Sequence, residues 1–482
     1  MVPQTPQRIP LALAAAPLVV LVGAIALGAA PIGLDGAVLL AAMLVAAAVA
    51  GGIAVARGAS WGEIQRSTGD KLAAVLPVIL ILLAIGLLVG TWVFSGTIPL
   101  LVTWGVRLIS PGAFLVTAFV ATGAMSLATG TSWGSAGTLG VALMGAAAAL
   151  GVPLPAAAGA IVSGAYLGDK MSPLSDTTNV CALAAGANLY DHIRHMLWSA
   201  LPSCAMALVV YAFAGGARGS VDGSLPPEAV RLLGELESVF HLDGWALAPL
   251  LVVLAGVVAR RPPALVLAAS SVVAIAVGVA VQGFGLAEGI AAGARGFDAS
   301  MTAAKGVDPA GLGPLFHRLV ERGGLESMAP ILVVILAAFL RAAGLDVSGA
   351  LERLLGALLG RVRSILGLVA STMAAGATMV GLTSHAGVTA LVVGGLFAPA
   401  FAERRLAPQN LSRSLEDSVT VVEPLLPWTV SALYMAATLG VPTLDYLPWA
   451  LFCWGGPFFS LLVAATFGRT GLGIRRLGAP EA

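Results

Sequence analysis

The chain has 482 residues, of which 58% are hydrophobic and only 10% charged. Soluble globular proteins carry about 25% charged residues, so this chain lacks the polar surface to cover itself in water. Its 25 Lys and Arg against 24 Asp and Glu leave a formal charge of +1, which gives nucleic-acid binding no electrostatic basis. A membrane span needs about 20 apolar residues. Candidates in chain order are 11–30, 36–56, 72–94, 112–128, 135–150, 154–168, 177–187, 197–214, 245–260, 264–282, 326–344, 365–382, 386–402, 419–440 and 446–467. Several are too short to cross alone and read as broken or re-entrant elements. The polar stretches 215–243 and 283–324 read as extramembrane connections. Cys181, Cys204 and Cys453 stand in apolar runs at no metal-ligand or disulfide spacing, and no cofactor is expected.

Lys and Arg placement orients the spans. With both termini in the cytoplasm, 17 of the 25 basic residues fall inside, among them Arg8, Arg57, Arg66, Lys71, Arg341, Arg361, Arg363, Arg413 and Arg469. That count holds only if 112–150 and 365–402 are hairpins that enter and leave by the same face.

An internal repeat is the most informative feature. Residues 74–96 overlay 327–349 at an offset of 253, bringing Pro77 onto Pro330 and Gly96 onto Gly349. Thr131-Ser132 falls on Thr383-Ser384, and a further match sets Leu174-Ser175-Asp176-Thr177 on Leu415-Glu416-Asp417-Ser418, making Asp417 the mate of Asp176. Because the copies start on opposite faces, the fold class is an all-α integral membrane protein with an inverted repeat, two re-entrant hairpins and broken transmembrane helices. Secondary transporters have this architecture, with a midplane site where broken helices meet. The divisions are an N-terminal helix pair (1–60), repeat 1 (71–214), a connection with two spans (215–324), repeat 2 (325–468) and a cytoplasmic tail (469–482).

Polar residues inside the broken segments are the candidate site. In Gly168-Asp169-Lys170-Met171-Ser172-Pro173, the glycine and proline are expected to interrupt the helix, tolerable at membrane depth only around a cavity or ion. Asp176, Thr177, Thr178 and Asn179 supply hard oxygen ligands, with Asp176, Thr178 and Asn179 the expected Na⁺ ligands. Desolvation favours the neutral carboxyl, so such an acid can hold a proton or Na⁺ in turn. Asp176 could also cap a half-helix, and Asp169 and Lys170 could form a supporting ion pair. In the second copy Asp417, Ser418 and Thr420 are the matching candidates, although Ser414 and Glu416-Asp417 could start a helix. Glu423, beside Pro424, should face a cavity or partner.

Gly130-Thr131-Ser132-Trp133-Gly134 matches the G-x-S-x-G elbow of hydrolases, which needs a strand–turn–helix that the flanking apolar helices do not provide. A hydrolase using Ser132 and His385 is the reading from a different class. A hairpin tip is favoured, with Thr131 and Ser132 at one tip and Thr383, Ser384 and His385 at the other. A lone membrane histidine can equally be hydrogen-bonded between helices. His192 and His195 read as part of an interfacial amphipathic helix.

The segments 130–138, 164–179, 191–196, 324–328 and 411–418, with Pro427-Trp428, closely resemble the NhaC-type Na⁺/H⁺ antiporters of the ion transporter superfamily, in order over residues 60–468. The resemblance implies Na⁺/H⁺ exchange across a bacterial inner membrane by an elevator-type movement. In some relatives it implies coupled transport of a small organic acid or amino acid, and it implies a homodimer. The family usually carries a Gly-Asp/Asn-Gln-Tyr stretch where this chain has Ser384-His385-Ala386-Gly387, and a small polar residue where Glu423 stands. His385 and Glu423 are therefore expected to form a proton-relay pair.

Overall fold

The computed structural model describes residues 9–32, 36–216, 225–359 and 364–478. Arg8, Arg361, Arg363 and the last residues of the tail lie outside this set, as does the Arg469 side chain. Among the described residues ten helices are long and apolar enough to cross a membrane, or up to twelve if each of two bent pairs is one span. The chain is therefore a multi-pass, all-helical membrane protein.

The helix expected from residue 72 begins earlier, at Trp61, and runs to Phe94. A capping box starts it: Ser60 Oγ accepts from the Glu63 amide, and Glu63 Oε2 accepts from the Ser60 amide at 2.7 Å. At 1.5 Å per residue, these 34 residues exceed the hydrocarbon thickness of about 30 Å. The charged first turns therefore project, and Lys71 pairs with Asp346 at 2.7 Å.

Two helical hairpins occupy the expected stretches. Phe114–Thr129 turns at Gly130 (φ 70°) and Thr131 into the return helix from Ser132 to Ala149, which passes through a π-helical segment, Ala136–Gly140. Ile365–Thr383 turns at Ser384 (φ 62°) and His385 into Ala386–Glu403. Leu154–Met171 packs against the first hairpin so tightly that a Cβ at Gly164 would lie 2.2 Å from the Phe119 carbonyl oxygen, and one at Gly168 2.3 Å from that of Gly123. Gly168 thus does not interrupt the helix as expected. It is a contact glycine inside it, and such small residues let membrane helices approach closely. The interruption comes at Ser172–Ser175, with Pro173 inside it.

Backbone features recur along the two halves in a register that corrects the one expected from sequence. The left-handed residues at the hairpin tips, Gly130 and Ser384, stand 254 positions apart. So do the extended helix caps Thr131 and His385, the caps Ser175 and Thr429, and the left-handed terminators Gly186 and Gly440. In this register Asp169 corresponds to Glu423 and Ser163 to Asp417. Asp176 is not the counterpart of Asp417, because the shorter linker assumed between the copies does not exist.

The connections carry structure of their own. Residues 215–243 include Pro227–Val239, and 283–324 include Leu286–Arg295 and Pro314–Val320. Phe94, Phe240, Phe284 and Phe297 stack together at ring distances of 5.0–6.2 Å and fasten these segments to the bundle.

Candidate functional site

The first hairpin tip meets the first broken helix through two side chains. Thr131 Oγ1 accepts from the Gly134 amide at 3.2 Å and starts the return helix. That places the buried Ser132 hydroxyl to donate to Asp169 Oδ2 at 3.0 Å. Ser132 therefore partners a carboxylate, and the Ser132–His385 pairing a hydrolase would need is not formed. Tyr434, from the second half, stacks on Trp133 at 4.3 Å and donates its hydroxyl to the Trp133 carbonyl at 2.6 Å.

Ser175 caps the helix Asp176–Ala185 after the break. Thr178 Oγ1 donates to the carbonyls of Asp169 and Lys170, and Asn179 Nδ2 to those of Pro173 and Ser175. Thr177 Oγ1 lies 3.0 Å from Ser175 Oγ. These groups satisfy the carbonyls that the break leaves open. Asp176 is exposed in the first turn, where an acid is favoured by the helix dipole.

Lys170 reaches the other half. Its ammonium pairs with Asp417 Oδ1 and donates to Ser199 Oγ at 3.1 Å, and both members of the pair are fully buried. The expected Asp169–Lys170 pair is replaced by these two separate contacts, because consecutive helical side chains do not face each other.

Asp417 lies in a helix that starts at Pro408 and loosens into a π-helical segment, Glu416–Thr420. Ser414, Glu416 and Asp417 are interior to that helix, which corrects the reading that they begin one. Ser418 Oγ bonds back to the Ser414 carbonyl at 2.6 Å. Both Glu416 carboxylate oxygens, Asp417 Oδ2 and Thr420 Oγ1 are buried without a hydrogen-bond partner. His192, expected at an interface, is instead fully buried. Its Nδ1 lies 2.7 Å from Ser412 Oγ and its Nε2 4.0 Å from Glu416 Oε2.

The second tip is fixed differently. His385 Nδ1 accepts from the Val388 amide at 3.5 Å, and Thr383 Oγ1 lies 2.6 Å from Thr389 Oγ1. Arg341, expected at the cytoplasmic face, is fully buried and donates to the Gly381 carbonyl and to Ser384 Oγ. Arg413, also expected there, is fully buried and donates to the Gly473 carbonyl. Glu423 lies against Ser431 and the Ala386 amide, with Asp169 and Tyr166 nearby. No hydrogen bond or ion pair joins it to His385 among the described residues, because the imidazole caps its own helix. Sequence reasoning passed over Arg341 and His192 as partners of the site. The signal of Arg341 was present as a single ionisable residue inside the apolar run 329–345, whereas His192 stands beside Asp191, Arg194 and His195 and so resembled part of a polar helix face.

The sequence model of the Na⁺/H⁺ antiporter family matches residues 6–178 and 164–468. The chain is 40% identical to an uncharacterized Na⁺/H⁺ antiporter of Haemophilus influenzae over 90% of this chain and 91% of that protein. It is 34% identical to the Na⁺/H⁺ antiporter NhaC of Alkalihalophilus pseudofirmus over 86% of each. It is also 29% identical to the malate-2H⁺/Na⁺-lactate antiporter of Bacillus subtilis, over 86% of this chain and 85% of that protein. With most of its length matched in this way and the buried acids gathered at its broken helices, the chain belongs to the Na⁺/H⁺ antiporter family.

Proposed function

We propose that the protein exchanges Na⁺ for H⁺ across a bacterial inner membrane, and that the buried Lys170–Asp417 region is where the two compete. One observation carries this reading: Glu416 and Asp417 are both fully buried, and beyond the single Lys170–Asp417 ion pair their other three carboxylate oxygens have only the weak or distant donors Cys181, Thr420 and His192 near Glu416. The buried acid Asp169 and the buried cations Lys170 and Arg413 lie within electrostatic reach of them, and the buried Glu423 lies within reach of Asp169. An uncompensated buried carboxylate is too costly to persist and must take up a proton or a cation. Protons and Na⁺ are alternative ways of meeting that demand. Exchange follows if the site is neutralised by Na⁺ on one face and by protons on the other.

In this reading Asp417, Glu416 and Thr420 offer the oxygen ligands. Lys170 holds Asp417 when Na⁺ is away, and Ser132–Asp169 ties the first hairpin to the same region. Asp176, Thr178 and Asn179 would then form an accessory Na⁺ position at the break. The recurring backbone features support a structural repeat; its inversion, re-entrant hairpins, cytoplasmic termini and movement as an elevator block belong to the proposal. A homodimer is part of the same proposal.

A second reading rests on the Bacillus subtilis relative, whose name couples Na⁺ and H⁺ to malate and lactate. In that case an organic acid or amino acid moves with the ions.

Na⁺-driven H⁺ movement in proteoliposomes tests both. Flux without added solute, lost at least about tenfold in Asp417→Asn and Glu416→Gln and less affected in Asp176→Asn, supports the exchanger. Flux that starts only when a solute is supplied would replace it with the second reading.

A further inference from the structure

We propose that the cavity beside the 296–324 connection is a binding site for a small solute carrying a carboxylate group. The cavity has a volume of about 970 Å³, at the upper end of the range of about 300–1,000 Å³ typical of small-molecule sites. Arg295, Arg318 and Arg322 line it together with Asp298 and Glu321. The two acids are already engaged. Asp298 Oδ1 accepts from the Ser300 amide at 2.8 Å as the cap of a short helical turn, and Glu321 Oε1 lies 2.8 Å from His317 Nδ1. By contrast, among the described residues none of the three guanidinium groups is in ion-pair distance of a carboxylate, and Arg322 donates only to the Thr438 carbonyl, at 3.4 Å. The cavity thus presents planar, forked donors in excess of acceptors, and a carboxylate matches that geometry in two parallel hydrogen bonds.

Its wall is built rather than loose. The Gly324 amide donates to the Gly86 carbonyl at 2.7 Å. A Cβ at Gly90 would lie 2.1 Å from the Ala292 carbonyl oxygen, so the connection is seated directly on the helix Trp61–Phe94. Such contact fixes the backbone that carries Arg295 and Arg322, which lowers the ordering cost of binding. The opposite wall includes Thr438, one helical turn from Tyr434, which in turn stacks on Trp133 of the first hairpin tip. A solute held by the arginines therefore sits next to the helix whose Tyr434 stacks on Trp133, the chain neighbour of Ser132.

The proposal stands apart from exchange at Lys170–Asp417, and its test separates the two. The purified full-length protein is titrated calorimetrically with sodium acetate, L-lactate and L-malate, and with chloride, phosphate and short-chain phosphatidylglycerol, at constant Na⁺ and ionic strength. The expected result is saturable binding of at least one of the three carboxylates, weakened about tenfold or more in Arg322→Gln and in the exposed-site variant Arg318→Gln. Solute-free Na⁺-dependent H⁺ flux is retained in both. Unaltered affinity in Arg318→Gln combined with Arg295→Gln, no saturable binding of any carboxylate, or tighter binding of chloride, phosphate or the lipid would overturn it. If Arg322→Gln does not fold, the Arg318 and Arg295 variants decide the outcome.

Discussion

Lys170 and Asp417, 247 positions apart in the chain, form an ion pair in which both side chains are completely buried. It joins the end of the helix Leu154–Met171 to the π-helical segment Glu416–Thr420. Removing one partner leaves a buried charge without compensation, a cost of about 3–5 kcal/mol, whereas replacing both with apolar residues of similar size is often neutral. Lys170→Met and Asp417→Leu alone are therefore expected to lower the thermal midpoint of the detergent-solubilised protein strongly. The double variant should recover much of that loss while remaining inactive in Na⁺-driven H⁺ flux. A double variant no more stable than either single one would show that the pair does not control folding.

Gly168 and Gly234 make opposite predictions for the same substitution. A methyl group at Gly168 meets the Gly123 carbonyl oxygen and the Leu127 amide nitrogen within 2.4 Å, whereas at Gly234 it meets nothing within 4 Å. Gly168→Ala should cost about 1–3 kcal/mol through overpacking. Gly234→Ala, in the helix Pro227–Val239, should stabilise by about 0.4–1 kcal/mol. Chemical denaturation of both variants side by side checks the pair.

The Trp133–Tyr434 contact separates a hydrogen bond from a stack. Tyr434→Phe removes only the bond to the Trp133 carbonyl, an expected loss of about 0.5–1.5 kcal/mol. Tyr434→Leu removes the ring as well, adding a further loss of about 0.5–1.5 kcal/mol. Equal losses in the two variants, measured by thermal unfolding with and without Na⁺, would mean that the stack contributes nothing.

His317 gives the proposed carboxylate site a pH dependence. Its hydrogen bond to Glu321 raises the imidazole above its usual range, with smaller support from the Pro309 carbonyl, the Glu321 charge and Glu235. The charged pair is present at low pH and is lost as pH rises through that raised value. Glu321 is then free to compete for Arg318 and Arg322, so carboxylate affinity should fall as pH rises past neutrality. In His317→Gln the affinity should lose this step, and calorimetric titration across pH 5–9 (about two units either side of the unperturbed imidazole) reads it out.

The span pattern and the hairpins were legible in sequence because apolar length and helix-breaking residues are local properties. Ser60 and Glu63 show what was legible but missed, since a capping box four residues long placed a helix start ahead of the apolar run. Gly168 shows what was not legible. Its role depends on the helix Phe114–Thr129 lying against it, and no local rule separates a contact glycine from a breaking one. The repeat register failed for a related reason. Leu174–Thr177 and Leu415–Ser418 match in letters, but only the backbone at the tips, caps and left-handed terminators records which positions correspond.

Composition alone determined that this chain lives in a membrane, because 10% charged residues cannot clothe 482 residues in water. The order of apolar runs and the motif residues determined its family. Only the tertiary structure decided who partners whom: Asp169 with Ser132 rather than Lys170, Lys170 with Asp417, and His385 with its own helix rather than Glu423. In a medium that offers no water to lone polar groups, each buried charge must find its partner across space. Those partners come from elements far apart in the chain, where sequence spacing carries no information about distance.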